Sequence, residues 1–590
     1  MYNPHSAVER IKNHLAYKLG QAMIDFSNNG EGYIVLFKKL YQIKKQHKKE
    51  QKIYQQTIQV FPQLKYPNLE TCPDYNEALR YKFHLSYILG EVLIKTYQTW
   101  YRGSGFKLKN DIKKANKEFQ IFREIKELSG EALKVIQDNK QLFLKEFPRI
   151  KNILKIHQDY KAILDNIFHN FNYFIQNFNL VEEWLLSDDF NQKYKKENHP
   201  YPSLLDPKKL NDKNEKINYH NIPAELAWEM NLPLPDNYEF VVFGSHGAGM
   251  KSVLAVLNFL GYCNPAYLSH NAKGRYRYHQ AYITCLSEKK YFLDLFDYGF
   301  EEYDKYLLTI SKRVKYIYFV RDPICILETY INAKIRDPKF LMKIDIDSNL
   351  DGRLNLYKYV NSLEAQSNFI FSRDMGLRAC YFEYSIIDLL KLNNILYIDM
   401  SELQSENIIG TFIKIFNFLN IYLRIDNRIK NINFGYSYYL NGLEVLSNGF
   451  SFFISTYASV LNNDKIWKGY SDITDLISHD CNILDFRVFV KSNYYPFLIF
   501  NKRQLKKMNI FLKKFIQEFQ QQVEVEKSKK VTPDQYLKFL FTKEKKEKII
   551  KLKELLDYEL QHIKQYRPDI VASWKYYQQF EEMYKEFIES

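Results

Sequence analysis

The chain has little of what punctuates or staples a fold: 20 glycines, 17 prolines and six cysteines in 590 residues. So few glycines and prolines exclude collagen-like repeats and Gly/Pro-rich disordered chains. The cysteines (Cys72, Cys263, Cys285, Cys325, Cys380, Cys481) form no C-x-x-C pair and no zinc-ligand spacing. They read as scattered reduced thiols of a cytosolic protein. Long apolar runs are missing too, and none approaches the roughly 18 residues of a membrane span. "YYPFLIF" and "FSFFI" are short enough to be core. The opening "MYNPHSAVERIKNHLAYKLG" lacks the apolar centre of a signal peptide. The expected location is cytoplasmic, with no transmembrane segment and at most a peripheral contact with a membrane from that side.

What the chain has in abundance is aromatic residues, 48 Tyr and 43 Phe, with much Lys, Asn and Ile. All have A/T-rich codons, so the mix reads as genome bias. Hydrophobic content of 46% with 26% charged residues is that of a globular protein of three or four domains. The net charge is +15, but the lysines are spread along the chain and interleaved with Glu, as in "FTKEKKEKIIKLKELLDYEL". That is the pattern of a solvated helix face, and no nucleic-acid partner is expected.

The first part repeats itself. "HLAYKLGQAMI" (14–24) returns as "HLSYILGEVLI" (84–94), each placing its apolar residues on one helical stripe. Gly20 and Gly90 lie inside these helices, where glycine costs about 1 kcal/mol against alanine; close approach of two helices is the expected return. Two copies are too few for a solenoid, so residues 1–120 read as a helical accessory module. His14 and His84 are expected to be structural. Residues 121–196 read as further amphipathic helix, and 197–236 as a linker or wrapping segment rich in Pro, Asn and Asp. Short apolar runs ("EFVVF", "YFLDLF", "KYIYFV", "ILYIDM") then alternate with helix-length segments over 237–425, which predicts βαβ units and a parallel sheet. Residues 426–590 read as a C-terminal helical region.

Three of the few glycines fall between positions 244 and 249, in "FVVFGSHGAGMKSVLAVLNFL". A strand, a glycine turn and a helix in that order present bare N–H groups and a helix N-terminus to an anion. Gly244, Ser245, His246, Gly247 and Gly249 form the turn, and Lys251 and Ser252 follow in the first helical turn. Gly244 and Gly249 have Walker A spacing, but Met250 separates Gly249 from Lys251 and turns the lysine about 100° around the helix. A second strand–helix corner, "VKYIYFVRDPICILETYINAKIRD", carries Arg321, Pro323 at a first-turn position and Thr329 eight residues after the arginine. An arginine grips phosphate bidentately, and a hydroxyl adds one more donor.

These two blocks resemble the nucleotide-binding elements of sulfotransferases that use 3′-phosphoadenosine-5′-phosphosulfate. In that family a strand–loop–helix holds the 5′-phosphosulfate. A later strand ends in Arg-x-Pro with a Ser eight residues after the Arg, and both residues grip the 3′-phosphate. Arg321 and Pro323 match, and Thr329 stands for the Ser. "NILYIDMSEL" with "NIIGTFIKIFNFLNI" resembles the next strand and helix. The similarity covers about 238–425 and implies an α/β fold with a P-loop-like, sulfotransferase-like parallel sheet flanked by N- and C-terminal helical regions. The whole chain resembles an uncharacterised family from surface-glycan and flagellar-glycosylation loci of epsilon-proteobacteria. Its first 120 residues resemble accessory segments of surface-glycan enzymes. The family's loop usually reads Lys-x-Gly-Thr-Thr or Lys-x-Gly-Thr-Ser, and its lysine contacts the leaving group. "SHGAGMKS" has no lysine there, so His246 or Lys251 would have to neutralise that charge.

The resemblance implies sulfuryl transfer from the phosphosulfate nucleotide to a hydroxyl of a bacterial glycan, without a metal. A His or carboxylate near the loop would take the acceptor's proton. His246, Asp294 and Asp297 are the candidates, with His270 and His279 further along. The basic, aromatic "SHNAKGRYRYHQAY" is a candidate acceptor loop. Two other readings stand beside this one: a kinase with Asp294 as a magnesium ligand, and a non-catalytic scaffold on the same fold. In the scaffold reading the N-terminal module contacts other surface-glycan enzymes.

Overall fold

In a computed structural model of the chain the described residues are 3–29, 32–99, 107–124, 130–245, 247–262, 273–287, 289–295, 301–310, 313–332, 334–335, 342–350, 354, 356, 358–359, 363–372, 381, 383–431, 435–436, 439–440, 442–456, 469–477, 486–544 and 546–589. They fall into two compact units, Met1–Leu232 and Pro233–Ser590.

The first unit has no strand among its described residues. Its repeat forms the helices Leu15–Asn29 and Leu85–Gln98, which cross at their glycines. A Cβ on Gly20 would lie 1.7 Å from the Ser86 carbonyl oxygen, and one on Gly90 would lie 1.7 Å from that of Ala16. Ser86 is the repeat equivalent of Ala16, so the contact is pseudo-symmetric, backbone against backbone. The histidines share this symmetry. His14 stacks on Tyr87, and His84 lies against Tyr17, the equivalent residue. Burial lowers both imidazole pKa values, as expected for neutral packing groups.

Residues 197–236 differ from a free linker. Leu204, Leu205, Leu210, Tyr219, Trp228 and Met230 are buried. The Asn166 amide donates to the carbonyls of Pro202 (2.8 Å) and Met230 (3.1 Å), and the Trp184 indole donates to Ser203 (3.0 Å). Side chains thus satisfy an irregular backbone, which is why the segment shows no periodicity and yet its residues up to Leu232 close the core of the first unit.

The second unit contains the parallel sheet. β1 (Phe240–Gly244), β2 (Leu293–Leu295), β3 (Lys315–Val320) and β7 (Ile395–Asp399) lie in the order β2-β1-β3-β7, all parallel. β1 is buried at every residue, as a central parallel strand must be. Phe240 and Val242 pack with Val253, Leu254 and Leu257 of the Met250–Phe259 helix and with Phe412, Ile415 and Phe416 of the Ile408–Leu419 helix.

A second sheet corrects the expectation of a helical C-terminal region over 426–590. β5 (Met342–Asp345), β8 (Leu443–Ser447), β9 (Phe450–Thr456), β10 (Tyr470–Asp472) and β11 (Phe486–Lys491) lie in the order β10-β11-β9-β8-β5. A two-stranded ladder pairs β4 (Lys334–Ile335) with β6 (Lys358–Tyr359). The Lys502–Lys527 helix covers the five-stranded sheet with Met508, Phe511, Leu512, Phe515, Phe519 and Val523. That i, i+3/i+4 spacing is strong, whereas the strands are short and their buried faces alternate, so the helical pattern masks them in the sequence. "YYPFLIF" is only partly core: Leu498 is buried while Phe497 and Phe500 are exposed.

Two measurements check this account. Gly90→Ala should lower the thermal midpoint although alanine favours helices by about 1 kcal/mol, because the new methyl meets backbone. Gly410→Ala, where a methyl meets nothing within 4 Å, should raise it slightly. For pH, buried His157 bonds the Leu185 carbonyl through Nε2 and leaves Nδ1 without a partner; burial lowers its pKa to about 4. The unfolded state then binds the proton first. Stability is full above about 6.5, and is lost as pH falls towards about 4. Thermal melts of His157→Gln across that window should show a flatter pH dependence than the native chain.

Candidate active site

β1 is flanked by β2 on one side and β3 on the other, so the connections leaving β1 and β3 run in opposite directions. This is a topological switch point, where open parallel sheets bind ligands beyond their strand ends. The glycine turn leaves β1 there, and Arg321-Asp322-Pro323 leaves β3. Gly244 pairs with Phe319, so the two corners begin side by side.

They are joined by hydrogen bonds. Arg321 Nη1 donates to the Gly247 carbonyl (2.7 Å) and to Thr329 Oγ1 (2.9 Å); the Thr329 hydroxyl itself donates to the Cys325 carbonyl (3.0 Å). Residues predicted from two separate stretches therefore meet at one place. Arg321 Nη2 faces Glu328 at 3.8 Å, and Glu328 is only 2% exposed. Glu328 also receives Lys530 (2.5 Å) and the Asn332 amide (2.7 Å). Two cations share one buried carboxylate, so the three groups together carry a net positive charge.

The glycines have intramolecular reasons as well. A Cβ on Gly244 would lie 2.5 Å from the Phe319 carbonyl oxygen; Gly247 has φ +95° and packs on Thr329; Gly249 has φ +84° and faces Met400 and Leu403. Met250, the residue that departs from Walker A spacing, is buried in the core and lies against Gly244. Ala248 N–H turns back to the Ser245 carbonyl and Ser252 N–H to that of Gly249. Among the described residues the N–H groups of Gly247, Gly249 and Met250 have no hydrogen-bond partner. These open donors at the start of a ten-residue helix are what an anion would use.

Asp294 lies in β2 with its Cα opposite Val242, one strand from the turn. His279 is half-buried on the Gly274–Cys285 helix. His246, His270, Asp297 and the side chain of Lys251 lie outside the described residues.

Several groups at this edge were not expected. Asp322 does not pair with Arg321. It accepts from Ile324 N–H (2.9 Å) and from Tyr576 (2.9 Å) and Tyr577 (3.1 Å) N–H, capping two helices at once. The Asp-Pro step signals the first cap; nothing in the sequence signals the second. At the end of β7, Asp399 caps the turn Met400–Leu403 through Ser401 and accepts from the Trp574 indole (2.8 Å). Burial pushes the Cys325 thiol up to about 12, so it stays protonated and is no nucleophile.

A family model described as "Domain of unknown function (DUF8374)" matches residues 2–121, and one described as "Protein of unknown function (DUF2972)" matches residues 397–587. The chain is similar to both over those spans. The second begins inside β7 and takes in Trp574, Tyr576 and Tyr577. No curated protein and no solved structure matches.

Asp322→Ala removes one side chain from two helix starts, each cap contributing about 1 kcal/mol. In hydrogen exchange the amides of Ile324, Tyr576 and Tyr577 should all lose protection together, although Ile324 and Tyr576 lie 252 positions apart.

Proposed function

We propose that the crevice between the glycine turn and the Arg321 corner binds 3′-phosphoadenosine-5′-phosphosulfate and that the protein transfers its sulfuryl group to a hydroxyl of a glycan. The single observation that carries this reading is the convergence of Gly247, Arg321 and Thr329 at the switch point of a parallel sheet. The open N–H groups after β1 suit the 5′-phosphosulfate end. Arg321 and Thr329, with the net positive charge around Glu328, suit the 3′-phosphate.

In the transfer, an acceptor oxygen forms a bond to sulfur as the bond from sulfur to the bridging phosphate oxygen breaks. The acceptor's proton goes to a base, for which Asp294, His246 and Asp297 are the candidates. The charge developing on the departing nucleotide falls on backbone donors already fixed in place, so they need no reorganisation at that moment. To reach the 3′-phosphate, the guanidinium would use its Nη2 edge, or exchange the Gly247 carbonyl for a phosphate oxygen.

A second reading, a non-catalytic scaffold on this fold, is favoured by a different observation. Both Nη1 hydrogens are taken by the protein, and Met400 occupies the space beside Gly249.

Isothermal titration with 3′-phosphoadenosine-5′-phosphate separates the two. The nucleotide should bind the native chain, and Arg321→Ala should weaken it by about 2 kcal/mol, roughly thirtyfold. Thr329→Val, nearly isosteric, should weaken it less. No binding by the native chain, or equal binding by Arg321→Ala, leaves the scaffold. Binding of ATP only with magnesium would point to a kinase instead.

A further inference from the structure

Residues 486–517 contain eight lysines and arginines and no aspartate or glutamate. Within them, between β11 and the Lys502–Lys527 helix, the short helix Tyr495–Leu498 and its exit display large apolar side chains to solvent. Phe497 is 69% exposed and Phe500 86%. The display is built rather than frayed. Leu498 between them is fully buried, Tyr494 sits edge-on to Phe450, and Asn501 closes the tip by bonding Leu498 and capping Gln504. A loop that buries one apolar residue and exposes its neighbours on either side has a face to be covered.

The cations around that face have no folding rationale. Lys502 and Arg503 occupy the first turn of a 26-residue helix, which has no acidic residue there; at a helix N-terminus positive charge opposes the dipole. Lys506 continues the exposed set, and Lys491 ends β11 beside it in sequence. Among the described residues none of the four has an ion-pair partner, whereas Arg487 pairs with Asp472 and Asp475, and Lys507 with Asp347. The neighbouring β8–β9 hairpin, joined to this corner through Ser447 and Gln504, brings no acid at its turn 447–451.

We infer that this tip docks on an anionic phospholipid surface, with Phe497 and Phe500 entering the headgroup–acyl boundary and Lys502, Arg503 and Lys506 resting on lipid phosphates. Aromatic side chains projecting next in sequence to exposed cations that have no ion-pair partner among the described residues are the chemistry that a negatively charged bilayer recognises. A protein partner matching only the apolar tip would leave the cations unexplained, and a polyanion in solution would leave the exposed phenyl rings unexplained. This surface is separate from the crevice at the parallel sheet and does not depend on what that crevice binds.

The test is vesicle flotation with the full-length chain. The native chain should float with equimolar phosphatidylcholine and phosphatidylglycerol, but not with phosphatidylcholine alone, and high salt should weaken the binding. Lys502→Gln/Arg503→Gln/Lys506→Gln should lower the partition by about fivefold per cation, roughly a hundredfold in all. Phe497→Ser/Phe500→Ser should lower it at least about tenfold. All five side chains are exposed, so both variants should melt at or above the native midpoint. Failure of the native chain to float with the anionic vesicles, equal flotation with neutral ones, or native-like flotation by either variant overturns the proposal. A native dimer that Phe497→Ser/Phe500→Ser converts to monomer would also overturn it, and would give the tip to a second copy.

Discussion

One guanidinium ties together two corners at the carboxyl end of the parallel sheet. Strands in such a sheet end in loops whose backbone groups have left the ladder and must find other partners. Arg321 Nη1 supplies a donor for the Gly247 carbonyl at the bend of the glycine turn and another for the Thr329 hydroxyl on the helix that follows β3. The turn after β1 is therefore tied to the corner that follows β3 as well as by its own short-range bonds. Gly247, whose carbonyl takes this bond, has a positive φ open to few other residues.

That contact rests in turn on a buried charge. Glu328 would be costly alone in the interior; it is held by Lys530, Asn332 and the facing edge of Arg321. Asn332 also exchanges two hydrogen bonds with the Val531 backbone (2.9 Å each). Residues from the far end of the chain thus orient the corner that follows β3. Asp322 and Asp399 repeat the logic, each accepting from a group near residue 575. Tyr397 reaches His562 from the same edge. The C-terminal helices meet this end of the sheet at its strand-end carboxylates, each of which takes one donor set from its own corner and another from residues 574–577.

The first unit solves a different problem with the same means, close backbone approach at glycine. Its two repeat helices have no charged link at their crossing; they meet because Gly20 and Gly90 have no side chain to separate them. Each glycine sits against the carbonyl one turn back in the other copy, and each histidine against the other copy's tyrosine. Duplicated sequence here produces a duplicated contact.

Much of this was readable beforehand. The four apolar runs form β1, β2, β3 and β7, Pro323 opens its helix, and the repeat glycines cross, because each depends on spacing within a few residues. Gly247, Arg321 and Thr329 were singled out for the same reason. The segment 197–236 is legible as a linker or wrapping segment but not in the bonds that hold it, and the second sheet is not legible. In the first, side chains from elsewhere satisfy the backbone; in the second, short alternating strands lie under a strongly helical signal. What the sequence by itself determined, then, was local conformation: strand, turn and helix, and which residues stand at their ends. The tertiary structure alone decided that Arg321 bonds Gly247 and not its neighbour Asp322, that Glu328 belongs with Lys530, and that Phe500 faces water. Those choices depend on distances between residues up to hundreds of positions apart, which folding fixes and which no local pattern encodes.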